Sequence, residues 1–94
     1  NTKIVDIHST LSEYTSNITV YDPWADAAKV KHEYHISLSE CSLDELRGQF
    51  DAVVLGVAHD AFKYEDVRSF LKDTNGVVYD VKGILNRTII DGRL

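Results

Sequence analysis

The chain has 94 residues, of which 44% are hydrophobic and 27% charged, and its formal net charge is −5. That length supports one modest core without disulfide or metal staples. The acidic balance, with no Lys/Arg cluster, argues against a nucleic-acid surface or a basic membrane-surface helix. The longest apolar run is seven residues, far below the roughly 20 that span a bilayer, and the opening residues lack a signal-peptide pattern. Cys41 is the only cysteine, so no intrachain disulfide forms, which fits a reducing cytosol. With Ser42 beside it and no base nearby in sequence, Cys41 is not assigned a reactive role. The sequons Asn17-Ile18-Thr19 and Asn86-Arg87-Thr88 read as chance. The chain opens on Asn1 and contains no Met, which predicts a piece of something longer.

In chain order, Ile4, Ile7, Leu11 and Tyr14 recur at helical spacing, which predicts a helix over 2–14 with one apolar face, capped by Asn1 or Thr2. Ile18-Thr19-Val20-Tyr21-Asp22 reads as a strand that Pro23 ends, because proline has no N–H for the ladder. A short helix is expected over 25–33 with Ala25 and Ala28 on its buried side. A brief edge strand follows at Ile36-Ser37-Leu38. Ser42-Leu43-Asp44-Glu45 fits a capping box, and Leu43, Leu46 and Phe50 then give one or two helical turns.

Ala52-Val53-Val54-Leu55-Gly56-Val57-Ala58 is the spine of the chain. An unbroken apolar run of this kind predicts a strand covered on both faces, as in the middle of a parallel sheet. Gly56 inside it marks a close approach by another element. A helix is expected over 64–72 with Val67, Phe70 and Leu71 turned inward. Asp73-Thr74-Asn75-Gly76 is a turn, and Val77-Val78-Tyr79-Asp80 a second buried strand running into Val81-Lys82-Gly83. Residues 84–94 form a tail with Ile89 and Ile90 as anchors. Alternating strands and helices predict an α/β domain with a parallel sheet and right-handed crossovers.

Three polar clusters follow strands: Tyr21-Asp22-Pro23-Trp24, His59-Asp60 and Asp80-Val81-Lys82-Gly83. A parallel sheet gathers such residues at the carboxyl edge of its strands, where open α/β sheets bind ligands. That convergence implies a binding edge and no particular reaction. Asp22 either accepts ribose hydroxyls or caps the turn after Pro23. His59 donates to a phosphate or base, or bonds a neighbouring loop carbonyl. Lys82 before Gly83 suits an anion, since Gly admits a ligand to the backbone and Lys supplies charge; the alternative is a salt bridge with Asp80 or another strand-end carboxylate. Trp24 is a stacking ring, an interface anchor or a core residue. His8, His32 and His35 read as solvated or half-buried, without metal-ligand spacing. There is no G-x-G-x-x-G, P-loop or G-x-S-x-G, so the chain should not bind a dinucleotide by the glycine fingerprint, nor catalyse alone.

Four segments occur in a telling order: 20–24 (Val-Tyr-Asp-Pro-Trp), 50–62 (Phe-Asp-Ala-Val-Val-Leu-Gly-Val-Ala-His-Asp-Ala-Phe), 76–85 (Gly-Val-Val-Tyr-Asp-Val-Lys-Gly-Ile-Leu) and 91–94 (Asp-Gly-Arg-Leu). Together they resemble the C-terminal, UDP-binding domain of the UDP-glucose/GDP-mannose dehydrogenase family, in its bacterial branch acting on UDP-N-acetylhexosamines. The resemblance covers nearly the whole chain. It implies a three-layer, Rossmann-like α/β domain with a mainly parallel sheet, and an enzyme that oxidises C6 of a UDP-sugar to a carboxylate in two NAD-dependent steps. The products of such enzymes feed capsule, O-antigen or exopolysaccharide synthesis. It also implies that the NAD site and the catalytic cysteine lie in N-terminal and central domains outside these residues; Cys41 lacks the Gly/Pro surroundings of that cysteine.

By resemblance, Lys82 with Gly83 lies by the nucleotide, and His59 and Asp60 sit at the edge of the same cleft. Tyr21 and Asp22 are the remaining candidates for the nucleotide-sugar. The resemblance further implies a cytoplasmic protein whose partners are a UDP-sugar, the other domains of the same enzyme and further copies of itself, with no nucleic acid and no membrane. One element of the family's domain is missing: its first strand, which carries a Phe-Lys pair and is followed by an Arg-bearing loop, would precede Asn1. In the family's strand order 3-2-1-4-5 that strand is the middle one. Its loss leaves a gap between the strand ending at Asp22 and the strand at 52–58, to be closed by direct pairing or by a second copy. Residues 1–94 are thus expected to be a single, truncated domain. Two readings from other classes compete. One is a stand-alone flavodoxin-like signalling module, such as a receiver, which would need an acidic pair after its first strand and an Asp where His59-Asp60 stands. The other is an oligomerisation domain.

Overall fold

The computed structural model describes residues 2–56, 62, 65–81, 85 and 87–93. The chain divides into two compact units, Asn1–Cys41 and Ser42–Leu94.

In the first unit, α1 spans Thr2–Ser12. Ile4 and Ile7 are half-buried, whereas Leu11 and Tyr14 are exposed, so the apolar stripe fades toward the end of the helix. The helix closes through Thr15 N–H to the Leu11 carbonyl at 3.1 Å, with Tyr14 N–H sharing that acceptor at 3.0 Å. The strands expected at 18–22 and 36–38 reduce to one parallel bridge between Val20 and Leu38, tied by Ser39 N–H to the Val20 carbonyl at 2.7 Å. The Asp22 carboxylate accepts from the amides of Trp24 and Ala25, each at 3.1 Å, which folds the chain back after Pro23. Asp26 then caps α2 (Ala27–Tyr34) by accepting from Ala28 and Lys29. α2 ends at His35, whose φ of 59° is left-handed and whose N–H reaches the Lys31 carbonyl at 3.0 Å.

The expectation that Ala28 is buried is corrected: Ala28 is exposed and α2 has no buried residue. Its sequence interleaves Lys29, Lys31, His32 and Glu33 with the alanines, Val30 and a terminal Tyr34 that is itself exposed, too little apolar surface for a buried stripe. Ile36 is the sole buried hydrophobic of this unit among the described residues.

In the second unit the capping box forms as expected. Ser42 N–H donates to Glu45 Oε1 at 3.2 Å, and Glu45 N–H to Ser42 Oγ at 3.4 Å. It opens a 3-10 turn, Asp44–Leu46, that buries Leu46. Three parallel strands follow, β1 (Ala52–Leu55), β2 (Val77–Asp80) and the two-residue β3 (Gly92–Arg93), in the spatial order β1-β2-β3. The register pairs Ala52 with Val77 through Leu55 with Asp80, and Tyr79 with Gly92. Upstream of β1, Phe50 bridges to Leu71 in parallel. In place of the helix expected over 64–72, the described residues form a 3-10 turn, Val67–Phe70; Val67, Phe70 and Leu71 are buried, as the pattern predicts.

Alternation along β1 and β2 puts Val53, Leu55, Val78 and Asp80 on one face, and Ala52, Val54, Val77 and Tyr79 on the other. The first face is the buried one, through Leu55, Val78 and Asp80; Phe62, Val81 and Leu85 are buried as well. The second is open, Val54 being 39% and Val77 48% exposed. The expectation that the run at 52–58 is covered on both faces is therefore corrected for Ala52–Leu55; residues 57 and 58 lie outside the described residues. Sequence reports how apolar a strand is, whereas cover depends on what packs over it, and among the described residues the face bearing Val54 and Val77 stays partly exposed.

Candidate functional site

The site is built from the carboxyl ends of β1 and β2. Because Leu55 is the register partner of Asp80, both strands end at the same level, and Val81 N–H donates to the Leu55 carbonyl at 2.9 Å. The chain leaves this edge into Gly56 on one strand and Val81 on the other. His59, Asp60, Lys82 and Gly83 follow those exits in sequence and lie outside the described residues.

Beneath the edge sits Asp80, which is fully buried. One of its carboxylate oxygens accepts the Leu85 N–H at 2.8 Å. The segment leaving β2 thus returns five residues later to the side chain that ends the strand, with Val81 and Leu85 both buried at its two ends.

The other flank is fixed by an ionic clip. Arg68 donates from Nη1 to Asp91 Oδ2 at 2.8 Å and to the Ile89 carbonyl at 3.0 Å, and from Nη2 to the Gly76 carbonyl at 3.0 Å. Asp91 Oδ2 also accepts the Val78 N–H at 2.8 Å, and Asp91 N–H donates to the Val78 carbonyl at 2.7 Å. A carboxylate oxygen here takes the place of a ladder carbonyl and sets β3 in register beside β2. The Arg68 hydrogen bond first, and the Val78 amide second, hold the Asp91 carboxyl below the usual carboxylate range. Gly92 is required at the next position. A β-carbon there would lie 2.7 Å from Tyr79 Cδ2, so the ring closes over a glycine that cannot be replaced without moving it.

Arg47 is a second cation engaged in structure. Its Nη2 pairs with Glu65 at 2.5 Å and its Nε with Asp44 at 2.9 Å, Nη1 bonds the Ser69 hydroxyl, and the guanidinium lies 4.8 Å from the Phe70 ring centroid. The hydrogen bonds to Glu65 and then Asp44 raise its pKa further, so Arg47 is held as a cation and is already committed to two carboxylates.

Tyr21 and Asp22 belong to the first unit, and both are half-buried. Of the two roles open to Asp22, the geometry displays the turn cap, since Oδ1 receives two backbone amides. Trp24 is half exposed and so is not a core residue. Among the described residues, no three His, Cys, Asp or Glu side chains gather as a metal site, and no helix is long and apolar enough to cross a membrane.

Sequence reading missed Arg68 and Asp91 as the pair that sets β3, and missed the bond from Leu85 to Asp80. Asp91 had a signal in the Asp-Gly pair that follows two isoleucines. Arg68 had none, because its partners lie 8, 21 and 23 residues away.

A sequence model described as "UDP-glucose/GDP-mannose dehydrogenase family, UDP binding domain" matches residues 1–87. The chain is 37% identical over 98 aligned positions to a UDP-N-acetyl-D-glucosamine 6-dehydrogenase of Salmonella typhi, and 38% identical over 97 to one of Pseudomonas aeruginosa. All of this chain aligns in both cases, against 22% of each relative. Protein CapL of Staphylococcus aureus is 35% identical over 88 positions, covering 92% of this chain and 20% of that protein. No solved structure matches significantly. The chain therefore spans about a fifth of the length of the curated relatives it matches, and it belongs to the UDP-glucose/GDP-mannose dehydrogenase family, corresponding to that family's UDP-binding domain.

Proposed function

We propose that this chain is the nucleotide-gripping C-terminal domain of an NAD-dependent UDP-sugar 6-dehydrogenase, one that oxidises C6 of a UDP-N-acetylhexosamine to a uronic acid for capsule or O-antigen polysaccharide. The observation that carries this reading is the family match over residues 1–87, joined to relatives named as UDP-N-acetyl-D-glucosamine 6-dehydrogenases that align along all of this chain. Lys82 supplies charge to the pyrophosphate and Gly83 admits it to the backbone. His59 and Asp60 bond the nucleotide from the neighbouring strand, and Tyr21 and Asp22 are the further candidates for contact with the nucleotide-sugar. The level ends of β1 and β2 support this grouping of His59 with Lys82, since the two residues follow those strands in sequence.

The fold reading is finer than the sheet itself. A further strand in the longer protein lies beside β1 on the side away from β2 and makes the sheet the middle of three layers, residues 1–94 being one truncated domain. Two features support it. β1 is an edge strand among the described residues, with the backbone groups of Ala52 and Val54 directed away from β2 by the alternation of the ladder. The exposure of Val54 and Val77 marks a face suited to a further layer.

In the whole enzyme, bound NAD would supply the hydride acceptor for oxidation at C6. This chain has no glycine fingerprint for it, so these residues bind and orient the nucleotide only. The assembly is a cytoplasmic homo-oligomer in this reading.

The test uses the full-length protein. UDP and UDP-N-acetylglucosamine are titrated by calorimetry, and NADH formation is followed by absorbance. UDP at a hundred times its Kd should stabilise the fold by about 2.7 kcal/mol. Lys82→Ala should raise KM for the UDP-sugar at least tenfold while leaving KM for NAD within twofold. Absence of UDP binding by the wild-type protein, or an unchanged KM in Lys82→Ala, overturns the reading.

A further inference from the structure

The turn that leads into β2, Asp73-Thr74-Asn75-Gly76, carries chemistry that nucleotide binding does not use. Asn75 is exposed. Among the described residues its side-chain amide makes no hydrogen bond; only its backbone N–H is engaged, by Asp73 Oδ1 at 2.8 Å. The Gly76 N–H that follows reaches the Asp73 carbonyl at 3.5 Å, longer than an ordinary N–H···O bond. An unengaged carboxamide thus stands next to a weakly held amide, and glycine has no β-carbon to obstruct their approach. No other asparagine of the chain precedes glycine. Packing requires the glycine, since a β-carbon at position 76 would lie 2.6 Å from Cδ2 of the buried Leu71.

We propose that Asn75-Gly76 is a self-modifying site at the foot of β2, where Asn75 deamidates through a succinimide to isoaspartate. Solvent base removes the Gly76 amide proton, and the nitrogen attacks Asn75 Cγ. A C–N bond forms there, the bond from Cγ to Nδ2 breaks, and Nδ2 leaves as ammonia after taking a proton back from solvent. Water then opens the ring at either carbonyl. Opening at Cγ gives aspartate on an unchanged backbone; opening at the backbone carbonyl gives isoaspartate, whose main chain runs through Cβ and is longer by that carbon. Nothing is oxidised or reduced. Each product adds a negative charge near Asp73 to a chain already at −5.

The longer main chain meets a segment that is pinned. The Gly76 carbonyl accepts from Arg68 Nη2 at 3.0 Å, and the Val77 N–H donates to the Asp51 carbonyl at 3.1 Å. An added carbon just before them disturbs the start of the β1–β2 ladder, which a charge alone does not. Asp91-Gly92 provides the contrast. It has the glycine, yet the Asp91 carboxylate is held by Arg68 and the Val78 amide and Gly92 lies in β3, so the same attack is disfavoured there.

The test follows the full-length protein in warm, mildly alkaline buffer, with peptide mapping to locate deamidation and an isoaspartyl methyltransferase to detect the isomer. In the folded protein Asn75 should deamidate at least about tenfold faster than Asn17, which is also exposed but precedes the β-branched Ile18. Its rate should lie within about tenfold of that in urea. Isoaspartate should be the main product, and Asn75→Ser should abolish the methylation signal from this peptide. The isoaspartate form, separated from the aged mixture, should exchange the Val77 amide at least about tenfold faster than fresh protein. Asn75→Asp, which carries the charge on a normal backbone, should stay within about threefold. Similar rates at Asn75 and Asn17 overturn the proposal, as does a folded rate further below that in urea, or aspartate formed without isoaspartate. Equal Val77 exchange in the isoaspartate form and in Asn75→Asp overturns the effect assigned to the longer backbone.

Discussion

Val77 and Val78 are adjacent, share one strand and differ in which face they occupy, so they form an internal control on the architecture. Val78 is 0% exposed and Val77 48% exposed. Truncation of Val78 to Ala removes the equivalent of two buried methylenes, about 1.6 kcal/mol of transfer free energy. It also leaves a cavity of roughly 50 Å³, worth about 1.2 kcal/mol. The expected cost of Val78→Ala is therefore about 2.5–3 kcal/mol. At Val77 roughly half of the transfer contribution survives and solvent fills the space, so Val77→Ala should cost about 0.8 kcal/mol. Urea denaturation of both variants reads this directly, provided that m is unchanged from wild type. Equal costs would refute the reasoning, since they would mean that the face bearing Val54 and Val77 is packed. Repeating the pair in the longer protein carries the argument further: if an added layer covers that face, the cost at Val77 rises toward that at Val78.

Two further outcomes are expected. Arg68 and the Val78 amide depress the folded-state pKa of Asp91, so its contribution to stability is present above the unfolded value of about 3.9 and is lost as pH falls through the folded value. Acid titration followed by circular dichroism should show wild-type stability falling more steeply below about pH 4 than that of Asp91→Asn, and parallel curves would contradict the clip. His35 ends α2 with φ at 59°, a conformation glycine adopts without strain, so His35→Gly should stabilise the first unit by about 0.5–1 kcal/mol. A lowered melting temperature in that variant would show that the imidazole makes a contribution the cap geometry does not explain.

Local chemistry was the most legible part of the sequence. Ser42 and Glu45 stand three apart before an apolar pair, and both reciprocal bonds of the capping box are present. Inward placement of Val67, Phe70 and Leu71 also followed from spacing, although the described backbone there is a 3-10 turn and not a regular helix; periodicity reports which side chains turn in, and discriminates poorly between helix types over one turn. The start of α2 was read at Ala25 and lies at Ala27 because two aspartates, Asp22 and Asp26, act in tandem. The first holds the turn and only the second caps the helix. Strand length was less legible. Ile18-Thr19-Val20 has the residue types of a strand, yet a strand extends only as far as a neighbour pairs it, and here that is the single bridge from Val20 to Leu38. The shared level of β1 and β2 is in keeping with two apolar runs predicted as parallel strands. The devices that fix it, Asp80 with Leu85 and Arg68 with Asp91, depend on backbone partners that no residue pattern encodes.

β1 brings these strands of argument to one point. Natural sheets protect their edges with charge, proline, bulges or brevity, and Ala52-Val53-Val54-Leu55-Gly56 carries neither charge nor proline. Its partner β2 meets it along Asp51, Val53 and Leu55, as the bonds from Val77 to Asp51 and from Val81 to Leu55 require. Strand geometry then turns the amides and carbonyls of Ala52 and Val54 to the opposite side. At the start of that same side Leu71 already sits against Phe50, whose N–H and carbonyl are both engaged, to Phe70 and by Lys72. Among the described residues the open side of β1 is therefore bounded: it begins after Phe50 and runs alongside Ala52 and Val54 toward the carboxyl ends of β1 and β2. A strand that fills it would end beside the ends of β1 and β2. On the proposed function, the residues that follow such a strand would join the nucleotide-binding edge, so completing the sheet and completing that edge are one structural event.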